Sequence, residues 1–436
     1  MTFTRPAPAV AEPGTDKTDE QAATRRAGAR TAAPAPTEAA APALAPRWWI
    51  WLAAWPVTAV FILSNAATPL YGLWQRDIGF SKGTLTVVFA FYIVGLIGSL
   101  LVSGVVSDRV GRKPVLIPAL VLAALACGIF ATATSVAALI VARLFTGIAV
   151  GAVVSAGMAA VTDVAGPDRK RLGALLASCA MVLGAGLGPL LAGVLSETLP
   201  APTVTVFLVE LALLALAFVT VLRMPVRRPA VVGKGAWIRL SKVPQGNGGQ
   251  LLLGVAVFAP GITSTSFVLS LGPSLLSGLL GTTSRIVAGA MAFVMFLAAT
   301  GVQFAVKQLA VRTILLGGAA SIVVSMAALM AAVHTSSVAF LVVAAVLAGA
   351  GQGMGQLGGL SLLNSSVPGA RLAEANAALN VGGYLPAGAL PVSAGYLSDA
   401  IGLTSGATTF AVVLIGLAVA GGLVVLTGRR RTAGAA

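Results

Sequence analysis

Polar side chains are sparse in this chain, and they fall at intervals. Between them run twelve apolar stretches, at 48–74, 85–106, 115–132, 136–161, 172–195, 203–222, 251–280, 286–306, 314–333, 338–363, 373–397 and 404–426. About 20 apolar residues cross the hydrocarbon of a bilayer as a helix. Spanning strands are shorter and alternate apolar with polar residues, and irregular backbone would leave N–H and C=O groups unsatisfied in lipid. The pattern predicts an all-α integral membrane protein with twelve transmembrane helices.

The polar gaps divide the spans six and six. Residues 1–46, rich in Ala, Pro and Thr, predict a disordered tail. The first apolar run is of spanning length and follows too long a polar segment for a cleavable signal peptide. Arg47, Trp48, Trp49 and Trp51 predict an anchor at the membrane interface. A bundle over 47–222 is followed by a basic linker, 223–249, a second bundle over 250–428 and a tail, 429–436. In the linker Trp237, Ile238 and Leu240 alternate with Arg239 and Lys242, which suits a short helix lying on the leaflet and a solvated linker equally well.

The halves read as copies. Pro56 and Pro69 align with Pro260 and Pro273, Phe89 with Phe293, and Gly147 and Gly151 with Gly349 and Gly353. The segment 189–197, Pro-Leu-Leu-Ala-Gly-Val-Leu-Ser-Glu, aligns with 391–399, Pro-Val-Ser-Ala-Gly-Tyr-Leu-Ser-Asp. Parallel repeats of this kind predict two pseudo-symmetric six-helix bundles with a site near the midplane, worked by rocking one bundle against the other.

Composition sharpens this picture: 57% of the residues are hydrophobic and 9% charged, with a net charge of +15. The basic excess would suit nucleic acid were it not so placed. Even-numbered loops and the carboxyl tail hold eighteen Lys or Arg, whereas the other loops hold Arg76, Lys82 and Arg285. That bias predicts cytoplasmic termini in a plasma (inner) membrane and needs no nucleic-acid partner. Cys127 and Cys179 fall inside spans, and the single histidine, His334, reads as a solvated residue at a span's end. With no catalytic triad, phosphate loop or metal-ligand spacing, neither an enzyme nor a cofactor or metal is expected.

The gap after the second span reads Gly104-x-x-x-Asp108-Arg109-x-Gly111-Arg112-Lys113. Asp108 can accept from free N–H groups at a helix amino terminus, where the macrodipole favours an anion. Gly111 permits the turn, and Arg112 can clamp Asp163 through a bidentate pair. Repeats of small residues, Gly147, Gly151 and Ser155, and Gly184, Gly188 and Ala192, let helices approach closely. Pro189 bends the fifth helix.

These motifs resemble those of the major facilitator superfamily, over essentially the whole stretch from Arg47 to Arg431. The loop motif matches that family's connection between helices two and three. Arg143-x-x-Thr146-Gly147 is similar to its second motif, with Thr146 where glutamine is usual. Gly184-x-x-x-Gly188-Pro189-x-x-Ala192-Gly193 resembles the motif of drug-exporting antiporters, with Ala192 for glycine. The resemblance implies that Asp108 faces helix eleven, beginning near Arg371, and that the glycine-rich fifth helix belongs to the moving seam.

Two ionisable residues, Arg143 and Glu210, lie well inside spans, about seven residues or roughly 10 Å deep, and such charges are functional candidates. Mutual pairing and a substrate or proton role both fit them. Asn65 with Ser64 and Thr68, Tyr92 with Ser99, Ser266 with Ser270, Gln352 with Gln356, and Asn376, Asn380 and Tyr384 supply the polar groups of a pocket. The expected function is export of a small amphipathic organic molecule in exchange for protons, by a monomer. Import of a sugar-like solute is the alternative, and a non-transporting sensor the third reading.

Overall fold

Each predicted apolar stretch lies, over its described residues and to within a residue at the ends, in a helix of the computed structural model, which describes residues 46–226, 248–278, 281, 283–368 and 371–428. The predicted amino-terminal tail up to residue 45, most of the basic linker with its interfacial segment, and the carboxyl tail lie outside the described residues. In chain order the helices are α1 (Arg47–Ala66, running on through short 3-10 and π turns to Gly79), α2 (Lys82–Val110) and α3 (Lys113–Ala131). α4 (Val136–Ala152) passes through a π turn at Val153–Gly157 into Met158–Ala165. Then come α5 (Lys170–Thr198), α6 (Pro202–Arg223), α7 (Gly248–Gly278), α8 (Arg285–Val306), α9 (Val311–Thr335), α10 (Val338–Ser366), α11 (Leu372–Ile401) and α12 (Leu403–Thr427). Among the described residues eleven helices are long and apolar enough to cross a membrane, and α11 runs for 30 residues between α10 and α12.

The helices start and stop where local chemistry dictates. Ser81, Ser135 and Ser284 cap α2, α4 and α8, each accepting from the backbone N–H three residues on. Gly111 ends α2 at φ 98°, a left-handed conformation that costs glycine little.

Packing repeats from half to half. A side chain at Gly147 would run into the Tyr92 carbonyl, and one at Gly151 into Ser99 and the Leu96 carbonyl, so α4 lies directly on α2. In the second half Gly349 and Gly353 stand in the same way against the Met295 and Ala299 carbonyls, laying α10 on α8. Lys113 donates to the Leu222 carbonyl at the end of α6 across 2.7 Å, and Arg312 to the Leu426 carbonyl at the end of α12 across 3.4 Å. Both basic groups meet carbonyls left free in a last helical turn.

The halves meet chiefly along two seams, α5 on α8 and α2 on α11, with α7 touching the end of α1 between them. Gly193 lies against the Arg285 carbonyl, Gly289 against the Pro189 carbonyl, and Gly186 against the Phe293 ring. On the other seam Gly395 lies against Lys82 and Thr86, Gly83 against the Tyr396 ring, and Gly388 faces Ile93. All of these contacts lie toward the end remote from the basic loop 109–113.

Candidate functional site

The centre of the first half is built around Arg143, whose side chain is 0% exposed. Pro69 lacks an N–H, and the chain passes there from α helix to a 3-10 turn at Thr68–Leu70. The last carbonyls of α1 therefore need other donors. Arg143 Nη1 donates to the Ser64 carbonyl across 2.7 Å. The guanidinium carbon lies 5.1 Å from the Tyr71 ring centre and 5.7 Å from those of Phe89 and Phe130, a cation among three π faces. Among the described residues its Nε and Nη2 make no hydrogen bond of good geometry, although the Tyr71 hydroxyl lies within reach of the guanidinium; the Thr68 hydroxyl is buried and unpartnered as well. The guanidinium and the Tyr71 hydroxyl beside it form a buried polar seat. The equivalent position of the second half is Ala345, so the symmetry of the scaffold does not extend to this charge.

Between the halves, Tyr92 on α2 lies within electrostatic reach of both Arg143 and Tyr384 on α11, with its hydroxyl directed at Ser64. Phe89 and Tyr92 stack at a tilt, 6.1 Å apart. Asn65 Nδ2 donates to Ser64 Oγ at 3.0 Å and to the Ala185 carbonyl of α5 at 3.4 Å. Asn380 stands one turn from Tyr384, half-buried, as do Gln352 and Gln356 on α10. The Gln352 and Asn376 side-chain oxygens and the Thr263 hydroxyl are buried and unpartnered. Other predicted pocket groups bond locally: Ser99 with Ser103, and Ser270 with the Ser266 carbonyl of its own helix. Ser266 itself is buried on α7.

Glu210 is 3% exposed on α6, with Oε2 unpartnered, and lies within electrostatic reach of Cys127 on α3. It makes no ion pair with Arg143, contrary to the pairing the sequence allowed: the guanidinium turns to α1 and its ring cage, while the carboxylate faces α3. His334 is exposed, 3.2 Å from the Thr408 hydroxyl.

At the basic end Arg112 bridges two carboxylates, Nε to Asp163 at 2.9 Å and Nη1 to Asp108 at 2.7 Å, and also donates to Ser107 Oγ at 2.8 Å. The predicted contact with Asp163 is present, but the guanidinium divides itself between partners and the pair is not bidentate. Partial burial alone would lower the Arg112 pKa, but hydrogen bonds to Asp163 and Asp108 outweigh it and raise it above the ordinary value. Among the described residues Asp108 is held by Arg112 and not by helix eleven, whose N-cap, Arg371, pairs with Glu374 at 3.6 Å. The contacts between α2 and α11 named above lie at the other end of both helices. Gly104 faces Ser155 of α4, within its own half.

The glycines of α5 are divided between two faces. Gly184 and Gly188 lie against the Thr58 and Ile62 carbonyls of α1, inside the first half, whereas Gly186 and Gly193 face α8. The seam implied for Gly184 and Gly188 therefore belongs to their neighbours.

Two carboxylates that align in the repeat, Glu197 and Asp399, join the halves. Glu197, after α5's last glycine, accepts from the Arg285 and Ile286 backbone N–H groups that open α8, the latter at 3.3 Å. Asp399 accepts from the Lys82 and Gly83 N–H groups that open α2, at 3.1 and 2.8 Å. The signal for both was present in the repeat, where they align. Among the described residues no group of three or more His, Cys, Asp or Glu is placed to hold a metal.

Comparison with known proteins agrees with this architecture. The family model described as Major Facilitator Superfamily matches residues 50–333. The chain is 36% identical over 104 residues to the 3-(3-hydroxy-phenyl)propionate transporter of Escherichia coli, 23% of this chain and 25% of that protein. It is 32% identical over 96 residues to multidrug resistance protein MdtL of Klebsiella pneumoniae, 22% and 24% of the two lengths. The chain thus spans about a quarter of the length of these curated relatives. Among solved structures a variant of the nucleoside transporter NupG superposes with a TM-score of 0.68 at 12% identity, covering 87% of this chain and 99% of that one.

Proposed function

Because the chain belongs to the major facilitator superfamily and is a multi-pass membrane transporter, we propose that it exports a small amphipathic organic molecule from the cytoplasm in exchange for protons. The observation that carries the reading is the polar and aromatic centre between halves whose named contacts lie to one side of it. Tyr92, Tyr384, Asn65, Asn380 and Gln352 offer hydrogen bonds among rings, and Arg143 adds one uncompensated cation suited to an acidic group on the molecule carried. The joined end is remote from the basic loops, so by the positive-inside rule it faces outward and the described state opens toward the cytoplasm. Binding from within, closure of the basic end and release outside would follow as the halves rock.

The antiporter-like run from Gly184 to Gly193 supports export, as do a curated relative named for multidrug resistance and one named for carrying an aromatic propionate. A second reading, import of a polar solute, draws on the amide-bearing residues Gln352, Gln356 and Asn380. Everted membrane vesicles with an imposed pH gradient separate the two. Accumulation of a labelled aromatic carboxylate inside everted vesicles when their lumen is acid is expected for export. Accumulation only in right-side-out vesicles would establish import, and none in either would reject both.

A further inference from the structure

We propose that Glu197 and Asp399 are a matched pair of gate residues, each holding a helix of the opposite half, and that outward opening breaks both caps in one motion. The first-turn N–H groups of a helix have no acceptor within it, and the macrodipole there favours an anion. Glu197 fills that place on α8 and Asp399 on α2, at distances of 2.8 to 3.3 Å where both partners are in ordinary contact. The surroundings are repeated as well. Each carboxylate follows a serine, Ser196 or Ser398, four residues after a glycine that admits the partner backbone, Gly193 or Gly395. Each capped helix begins after a serine N-cap with a basic residue, Lys82 or Arg285.

The contact suits a gate because both sides of it can rehydrate. Glu197 and Asp399 are exposed at helix ends, so water replaces the backbone donors when the halves part, and no buried charge is stranded. The two seams differ in strength. Arg285 also donates through Nε to Ser196 Oγ at 2.9 Å and through Nη2 to the Ser196 carbonyl at 2.6 Å. Lys82 has no such planar fork. Asp399 therefore carries a larger share of its seam than Glu197 does.

The latch rests on the alternating-access reading, and double electron–electron resonance on the full chain in nanodiscs tests it. Spin labels go on Thr134→Cys and Thr335→Cys at the joined end, or on Asp168→Cys and Leu309→Cys at the basic end, with Cys127→Ala and Cys179→Ala as background. In Asp399→Asn the population with the joined end apart should rise about three- to tenfold, in Glu197→Gln by less, and in the double variant by roughly the product. The basic-end pair should shorten in step. Carboxamides are isosteric and both sites are exposed, and misfolding would instead broaden both label pairs. Variant distributions that overlay the wild type, or that lengthen at both ends, overturn the latch. A wild type that keeps one distance at each end under every pH gradient counts against alternating access itself, whereas a wild type that exchanges while its variants match it counts against the latch alone.

Discussion

Arg112 Nε donates to Asp163 Oδ2 across 2.9 Å, fastening the loop after α2 to the end of α4. The bond is only partly buried and is reached by water on the Asp163 side, so its contribution to stability is about 1 kcal/mol or less. Its place at the basic end makes it a positional tie within the first half. Arg112→Glu sets three acids together and is expected to reduce transport at least tenfold, with expression and monodispersity retained. Asp108→Asn should act in the same direction. The swap of Arg112→Asp with Asp163→Arg should regain part of the loss in a vesicle assay; full activity of Arg112→Glu would show that the tie has no part in cycling.

The two faces of α5 give a paired test. Gly188→Leu drives a side chain into the Ile62 carbonyl within one half, so it should lower thermal stability and expression. Gly193→Leu meets Arg285 of the other half and should leave each half folded while holding the joined end apart. Thermal melts and label distances should therefore separate the variants. Equal melting losses in both would place the two glycines in one interface after all.

Arg143 is a buried cation without a counter-ion among the described residues, an arrangement that opposes folding. Arg143→Leu should raise the unfolding free energy, or lower it by less than about 1 kcal/mol despite losing the Ser64 bond, and should abolish transport of acidic substrates. Arg143→Lys keeps the charge but lacks the planar fork, and should transport with a KM raised roughly tenfold or more. Undiminished transport of a labelled carboxylate by Arg143→Leu would remove the anion seat.

Glu210 is the one buried carboxylate among the described residues. Glu210→Gln is accordingly expected to abolish the response of export to an imposed pH gradient, while downhill exchange of substrate persists. Counterflow measured beside gradient-driven efflux decides it, and gradient-driven efflux at wild-type rates would pass the proton to another group.

The twelve helices were legible because a bilayer tolerates no interruption of backbone pairing, so each crossing writes itself as an unbroken apolar run. Their ends were less so. The run read as 85–106 extends to Lys82–Val110, since Ser81 caps the start and polar residues in the last turn stay helical. Arg112 and Asp163 were paired correctly because both sit at one end of adjoining spans. Whether Arg143 and Glu210 pair stayed open in the sequence, because depth along a helix says nothing about the direction a side chain takes around it. Which of the α5 glycines face the seam was hidden for the same reason. The contact implied between Asp108 and α11 belongs to the end where the named contacts between halves are absent, and a sequence does not specify which of two states is seen. Glu197 and Asp399 aligned plainly in the repeat, yet only the tertiary arrangement shows which helix begins opposite each.

In a two-fold dimer, a surface patch meets its own copy: residue i of one subunit touches j of the other, and j touches i. Here residues 196–197 meet 284–286, while 399 meets 82–83 across the second seam. The closed end is thus an isologous interface folded into a single polypeptide, with the geometry of a homodimer whose subunits happen to be covalently joined. A self-complementary set of side chains, written once and repeated, specifies both seams, and an alteration in one copy is an asymmetric mutation of a symmetric dimer. The sequence between the halves is then free to diverge, as Arg143 and Ala345 have, while the contacts that close the end remain held to a common pattern.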